Sequence, residues 1–161
     1  MKRRSAAVLV AVLIAFVSFG LNAGVRAQAP KELFGTWKLN PAKSKYSPGP
    51  APKSMTVVYS PAGFGMKIVV DVVPAEGASQ HWEMTPIYDG GDHRVTGNPD
   101  ADTISIRRIS DSKGESTFKK SGKVMAVNLR TISADGRTMT IETKGTTGDG
   151  KPRHDIAVFE K

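Results

Sequence analysis

Polar and apolar residues alternate along most of this chain, in short segments that turn signals separate. The clearest case is the stretch 116–144, STFKKSGKVMAVNLRTISADGRTMTIETK. It alternates, turns at KSGK, alternates again, turns at SADGR and alternates a third time. Only β-strands have a side-chain period of two. This stretch therefore predicts three consecutive antiparallel strands.

The remainder of the chain after residue 31 repeats the same pattern, with nine or ten short strands in all and no helical periodicity. Such spacing is typical of an all-β sandwich or barrel, and the tight turns favour a single antiparallel up-and-down barrel of eight to ten strands. The other predicted strands cover residues 32–40, 54–60, 64–73, 79–86, 93–95, 103–110 and 152–160.

Turn lengths predict which side chains face the barrel interior, because a shift of one residue turns every side chain to the other face. A two-residue loop at Ser121-Gly122 pairs Phe118 with Met125. A three-residue loop at 134–136 pairs Leu129 with Ile141 and leaves Gly136 in a left-handed conformation. The predicted inner face is then Phe118, Met125, Val127, Leu129, Met139 and Ile141, with Arg130 outside.

The same register, extended backward through a loop at 112–114, pairs Arg108 with Phe118 and places Arg108 inside the barrel. An arginine in an apolar interior needs a partner. We therefore take Arg108 as a candidate anchor for an anionic ligand. The alternative is that its side chain emerges at the strand end, with the guanidinium in water.

The first 27 residues predict a secretory signal peptide that precedes a barrel domain at 28–161. A basic Met1-Lys2-Arg3-Arg4 is followed by the uncharged apolar run 6–21, and Val25-Arg26-Ala27 has the small-x-small pattern of a cleavage site. The run is short for a membrane span. We expect a signal helix, export to the periplasm or the medium, and no stable membrane span after cleavage; an uncleaved anchor is the alternative.

Charge and composition narrow the classes of partner. The formal net charge is +8, but four of the basic residues lie in the predicted signal, so the mature chain carries +4. This charge is scattered among acidic residues, which argues against nucleic-acid binding. The chain has no cysteine, so its core must suffice without disulfides.

No motif for catalysis, a cofactor or a metal is present. His81, His93 and His154 lack metal-ligand spacing. The acidic run 89–102 matches no calcium loop, and GTTGDGK at 145–151 precedes no helix, as a phosphate loop would. We therefore predict no catalytic residue, no cofactor and no metal site.

The predicted interior supplies the candidate ligand-binding residues. Pockets of this type are mostly apolar with a few placed polar groups, and the alternative is that these side chains fill a packed core. The candidates are Trp37, Tyr59, Trp82, Met84, Arg108, Phe118, Met125 and Leu129.

Gly35-Thr36-Trp37 on the first strand resembles the Gly-x-Trp of lipocalins and the wider calycin group. SADGRTMTIETKG and the terminal AVFEK resemble the closing strands of fatty-acid-binding proteins. GTWKLNPAKSKYSPGPAPKS, YDGGDHRVTGNPDADTISIRRI and VFEK resemble a family of uncharacterised exported lipocalin-like proteins of soil bacteria. These resemblances imply a lipocalin-like barrel with a ligand-binding interior.

Two points of comparison decide which residues the resemblance extends to. In lipocalins the Trp packs under an Arg of a late strand, a place that Arg130 or Arg153 would take here. The Arg-x-Tyr anchor of fatty-acid-binding proteins is replaced by Ala157-Val158-Phe159. We expect a non-enzymatic binder of a small apolar or amphipathic ligand. The alternative is an envelope or extracellular interaction protein with a filled barrel that acts through rim loops 41–53 and 88–102.

Overall fold

The computed structural model describes residues 29–161, which form a closed antiparallel barrel of ten strands. Each strand pairs with its neighbours in sequence, and β1 closes the barrel against β10. The predicted all-β up-and-down barrel is confirmed, at the upper end of its strand count. The predicted signal peptide lies outside the described residues. The strands are β1 (Gly35–Leu39), β2 (Ser54–Ala62), β3 (Gly65–Val73), β4 (Gln80–Met84), β5 (His93–Thr96), β6 (Thr103–Arg108), β7 (Lys113–Lys120), β8 (Lys123–Ile132), β9 (Thr138–Thr146) and β10 (Pro152–Glu160).

The β7–β8 hairpin has the predicted two-residue loop. Lys120 pairs with Lys123, and both loop residues have positive φ, 49° at Ser121 and 78° at Gly122. Two left-handed residues are what a type I′ turn requires, and its twist matches the twist of the flanking strands.

A β-bulge two residues beyond this turn changes the face that β8 presents. Lys119 pairs with Val124, but Phe118 pairs with Ala126, so Met125 and Ala126 together oppose Phe118. The extra residue moves every later residue of β8 to the opposite face. The prediction for this strand was therefore wrong: Val127 and Leu129 face outward, and Asn128 and Arg130 face the interior.

The β8–β9 register also differs from the prediction. Leu129 pairs with Glu142, and Arg130 pairs with Ile141, which is the register of a two-residue rather than a three-residue loop. Gly136 does have the predicted left-handed conformation, with φ of 68°. The apolar residues Met139 and Ile141 of β9 face inward as predicted.

Arg108 pairs with Gly114, not with Phe118, whose partner on β6 is Ile104. Arg108 keeps the inward parity of Ile104, but it is the last residue of β6. Its Nη2 donates to Asp111 Oδ1 at 2.6 Å, beyond the strand end. The side chain turns along the rim, as in the alternative considered for it.

One end of the barrel is closed by large apolar side chains. A 3₁₀ helix, Lys31–Leu33, precedes β1, and Trp37 Nε1 donates to Leu33 O at 2.8 Å. The cation over the Trp37 ring is Lys161, 4.6 Å from the ring centroid, rather than Arg130 or Arg153. The fully buried side chains at this end are Leu33, Trp37, Met66, Pro86, Met139 and Phe159.

The opposite end is crossed by the segment 40–53, which we call the strap. Its first half continues alongside β10: Lys45 and Ile156 exchange both backbone hydrogen bonds, and His154 N–H donates to Ser47 O. Its proline-rich second half, 48–52, crosses to β2. A second 3₁₀ helix, Pro41–Lys43, lies at its start. Within residues 29–161, no helix is long and apolar enough to span a membrane.

Candidate functional site: a two-sided cavity in the barrel

The barrel encloses a cavity of about 390 Å³. Ligand pockets in proteins have volumes of roughly 300–1,000 Å³, so this interior is not a filled core. The cavity reaches the surface at the strap end, where the exposed residues Pro48, Pro50 and Gln80 border it. All three tyrosines of the chain line it: Tyr46, Tyr59 and Tyr88.

One wall of the cavity, formed by β2, β3, β4 and β6, is almost entirely apolar. Its residues alternate with outward-facing residues such as Lys67 and Glu83, which form an ion pair on the exterior. This wall offers surface for an apolar part of a ligand. Its polar lining residues are Gln80 and Arg107, and its apolar and aromatic ones are Met55, Val57, Tyr59, Met66, Ile68, Val70, Val72, Trp82, Met84, Ile104 and Ile106.

The facing wall, formed by β7 to β10, carries a row of polar side chains. Ser116 pairs with Asn128, Asn128 with Thr143, and Thr143 with Asp155. All four line the cavity. Cross-strand partners lie side by side on the same face, so the row runs continuously across four strands. The barrel order places these strands opposite β3 and β4. The cavity thus has a polar row along one wall, beside apolar lining residues of the same strands, and faces a largely apolar wall on the other side.

Arg130 lies next to this row, on the side of the closed end. It faces Gly114 across the β7–β8 pair, and a methyl group at Gly114 would lie 2.5 Å from Arg130 Nη2. The missing side chain at Gly114 therefore leaves the space that the guanidinium occupies. Arg130 Cζ is 5.8 Å from the centroid of the Tyr59 ring.

No carboxylate of the described chain neutralises Arg130. The arginine ion pairs within residues 29–161 are those of Arg107, Arg108 and Arg153. Arg130 Nε is buried and has no hydrogen-bond partner among residues 29–161, and the same holds for the Tyr88 hydroxyl and Asn128 Oδ1. These atoms can bond to whatever occupies the cavity.

Arg153, in contrast, is neutralised by Asp155 at the open end. Its Nε donates to Asp155 Oδ2, and Asp155 Oδ1 accepts from the Ser47 backbone N–H at 3.0 Å. This carboxylate therefore holds both Arg153 and the strap. The cavity is left with one uncompensated positive charge, that of Arg130.

The two tyrosines beside these arginines stay protonated at neutral pH. Burial raises the pKa of Tyr59, against the opposing effect of the Arg130 charge. Burial, and then the charge of Asp155, raise the pKa of Tyr46 to about 12. Both phenols are therefore neutral and bring no negative charge into the cavity, although Tyr59 does share a side-chain hydrogen bond with Arg130.

The structure brings together five of the eight predicted candidates: Tyr59, Trp82, Met84, Phe118 and Met125 line the cavity. Trp37 is fully buried beneath it at the closed end. Leu129 faces outward, and Arg108 is bound to Asp111 at the strand end. A ligand-binding role for the five stays a prediction.

Sequence reasoning missed Arg130, Asn128 and Tyr88. The first two were missed because the bulge at Met125 reverses their face, and an alternating pattern carries no signal for a bulge. Tyr88 follows β4 in a turn-rich segment, where alternation gives no information about direction.

His81 and His154 are on the exterior of the barrel, whereas His93, at the start of β5, is on the face that it shares with its cross-strand partner Ile104. Each histidine lies beside one carboxylate. His81 contacts Asp71, His93 contacts Asp89, and His154 contacts Glu142. Within residues 29–161, no group of three or more side chains is arranged to hold a metal ion.

Comparison with known proteins adds no assignment, because no family model, no curated protein and no solved structure matches this chain.

Proposed function

We propose that this protein is an exported, non-enzymatic binder of a small amphipathic anion, held inside the barrel by Arg130. The proposal of export rests on the sequence of residues 1–27. The observation that carries the proposal of binding is the guanidinium of Arg130, which lies in a 390 Å³ cavity without a carboxylate partner in the described chain.

The electrostatic argument concerns the cost of an unpaired charge. A charged group withdrawn from water is unfavourable unless an opposite charge or hydrogen bonds compensate it. Arg130 Nε has no hydrogen-bond partner in the described part of the chain, and Asp155 is already paired with Arg153. A ligand with a single negative charge would neutralise Arg130, whereas a dianion would bring excess negative charge into the interior.

The apolar wall indicates the chemistry of the rest of the ligand, beyond its anionic group. Trp82, Met84 and Ile106 line the cavity on strands opposite or beside the polar row. An alkyl or aromatic body against this wall would add affinity by burial, at about 25 cal/mol per Å² of apolar surface. An acid with an apolar body satisfies both walls.

The alternative, an interaction protein with a filled barrel, has less support. It requires packed side chains in the interior, where the structure has a cavity. Of the two loops considered for such a role, 41–53 lies at the open end. The segment 88–102 is divided by β5, with residues 88–92 at the closed end and residues 97–102 at the open end.

The proposal is tested by calorimetric titration of stripped protein, purified under denaturing conditions and refolded, with dodecanoate, dodecan-1-ol and dodecyltrimethylammonium. We expect dodecanoate to bind most tightly. In Arg130→Met its affinity should fall about 10- to 100-fold, because a hydrogen bond to a charged group is lost. The affinity for the neutral alcohol should change little.

Arg108→Met is the matched control, since Arg108 is bound to Asp111 outside the cavity. It should bind dodecanoate like the wild type. Trp82, which lines the cavity, provides a second readout through its fluorescence. Equal affinity of wild type and Arg130→Met for dodecanoate, or no binding of any probe, would overturn the proposal.

A further inference from the structure

The polar row beside Arg130 constrains the ligand beyond its charge. Ser116, Asn128 and Thr143 are cross-strand neighbours on one side of the cavity. A ligand with an acid group at one end and hydrocarbon elsewhere would leave this row against hydrocarbon. Polar groups that a ligand buries without hydrogen bonds lower its affinity.

Asn128 is the member of the row whose unsatisfied hydrogen-bonding atom is known. Its Oδ1 is buried and has no hydrogen-bond partner among residues 29–161. A ligand hydroxyl can donate to this oxygen, and it can equally accept from the amide nitrogen. A ligand hydroxyl can therefore form a hydrogen bond with Asn128 in either orientation of the amide.

The strand geometry gives the spacing of the two residues along the backbone. The Cα atoms of Asn128 and Arg130 are two residues apart on the same face of β8, about 7 Å along the strand, and the guanidinium reaches from there toward Gly114 on β7. Asn128 lies on the open-end side of Arg130, because β8 runs from Lys123 at the open end to Ile132 at the closed end.

We infer that the ligand is an amphipathic hydroxy acid, with its acid group on Arg130 and a mid-chain hydroxyl on Asn128. This inference rests on the proposed function and names the class of ligand for the same cavity. The rest of the ligand lies along the apolar wall of β3 and β4. A hydroxyl at the far end of the ligand would not reach Asn128.

Three acids of equal chain length test the inference: decanoate, 5-hydroxydecanoate and 10-hydroxydecanoate, titrated by calorimetry into stripped wild-type protein. We expect 5-hydroxydecanoate to bind about five- to tenfold more tightly than decanoate, the gain from one hydrogen bond. The 10-hydroxy isomer should show no gain over decanoate. This comparison requires no variant.

Titrating the variant Asn128→Leu then tests whether Asn128 is the cause of the preference for 5-hydroxydecanoate over decanoate. The variant should bind decanoate and 5-hydroxydecanoate equally, and its thermal midpoint should not fall, because a buried amide oxygen without a partner is replaced by an apolar group of similar volume. Thr131→Val on the same strand, outside the cavity lining, is the control and should keep the preference.

The possible failures are distinguishable. If decanoate and 5-hydroxydecanoate bind wild type equally and both depend on Arg130, the hydroxy-acid inference is wrong and the proposed function stands. If 5-hydroxydecanoate and 10-hydroxydecanoate both bind more tightly than decanoate by the same factor, the placement of the ligand hydroxyl on Asn128 is wrong. If none of the three acids binds, both proposals are overturned.

Discussion

Gly114 and Arg130 form a pair in which the absence of one side chain makes room for the other. The guanidinium occupies the space that a methyl group at Gly114 would fill, 2.5 Å from Nη2 and 3.1 Å from Cζ. Since Nη2 is the tip of a flexible side chain, a larger residue at position 114 would displace the guanidinium rather than the backbone.

Gly114→Ala should therefore impair binding more than stability. We expect the affinity for dodecanoate to fall about tenfold, while the free energy of unfolding changes by less than about 1 kcal/mol, since alanine is otherwise preferred to glycine in a strand. Calorimetry and urea denaturation measure the two effects.

Gly148→Ala is the matched control for this variant. A methyl group there also meets the end of a flexible side chain, Asp100 Oδ1 at 3.0 Å, but it lies far from Arg130 in the open-end loop. Loss of affinity in Gly148→Ala equal to that in Gly114→Ala would contradict the role assigned to Gly114.

At the scale of single residues, the sequence predicts the apolar residues that line the cavity better than the polar ones. Tyr59, Trp82 and Met84 lie on strands whose alternation is uninterrupted, so parity alone gives their direction. Arg108 has the right parity, but at the end of a strand a long side chain can turn along the rim to Asp111. Arg130 has the right direction only because of the bulge.

At the scale of strands and turns, most of the fold could be predicted from the sequence, but the register of one strand could not. Turn residues and alternation gave the bounds of β2, β3, β6 and β10 to within a few residues. On β8, the unrecognised bulge shifted the register by one residue, and the choice of a three-residue loop after it shifted the register again. The two errors cancelled on β9, where Met139 and Ile141 face inward as predicted.

The β7–β8 turn contains a residue that its conformation disfavours. Ser121 has φ of 49°, and asparagine is far more common in this left-handed region. Ser121→Asn should raise the free energy of unfolding by about 0.5 kcal/mol, as measured by urea denaturation.

Ser79→Asn provides the control, because Ser79 is an exposed loop residue outside the positive-φ positions of the described chain. It should leave stability unchanged within error. A gain at Ser79 as large as that at Ser121 would show that the turn conformation is not the cause.

At the scale of the whole molecule, burial of tyrosines in the barrel predicts the alkaline limit of stability. The pKa of Tyr46 rises from 10.0 to about 12, and that of Tyr59 is raised as well. Between pH 10 and 12 the unfolded chain loses the proton of Tyr46 while the folded barrel keeps it. Stability must therefore fall as pH rises through this window.

Tyr46→Phe isolates this effect from the titration of lysines. Between pH 10 and 11, wild type should lose up to about 1 kcal/mol more stability than Tyr46→Phe, since one pKa unit corresponds to about 1.4 kcal/mol. Denaturation midpoints measured from pH 8 to 11 give the comparison. Parallel curves for the two proteins would argue against a raised pKa at Tyr46.

The bulge at Met125 also bears on how chains of this type would diverge. Deleting Met125 would leave Phe118 paired with Ala126 in a regular hairpin, and Arg130 would still face the interior. Losing one residue between positions 127 and 129 would instead turn Arg130 to the outside and remove its charge from the interior. Relatives that share the ligand should therefore vary in length at position 125 and keep their length from there to Arg130.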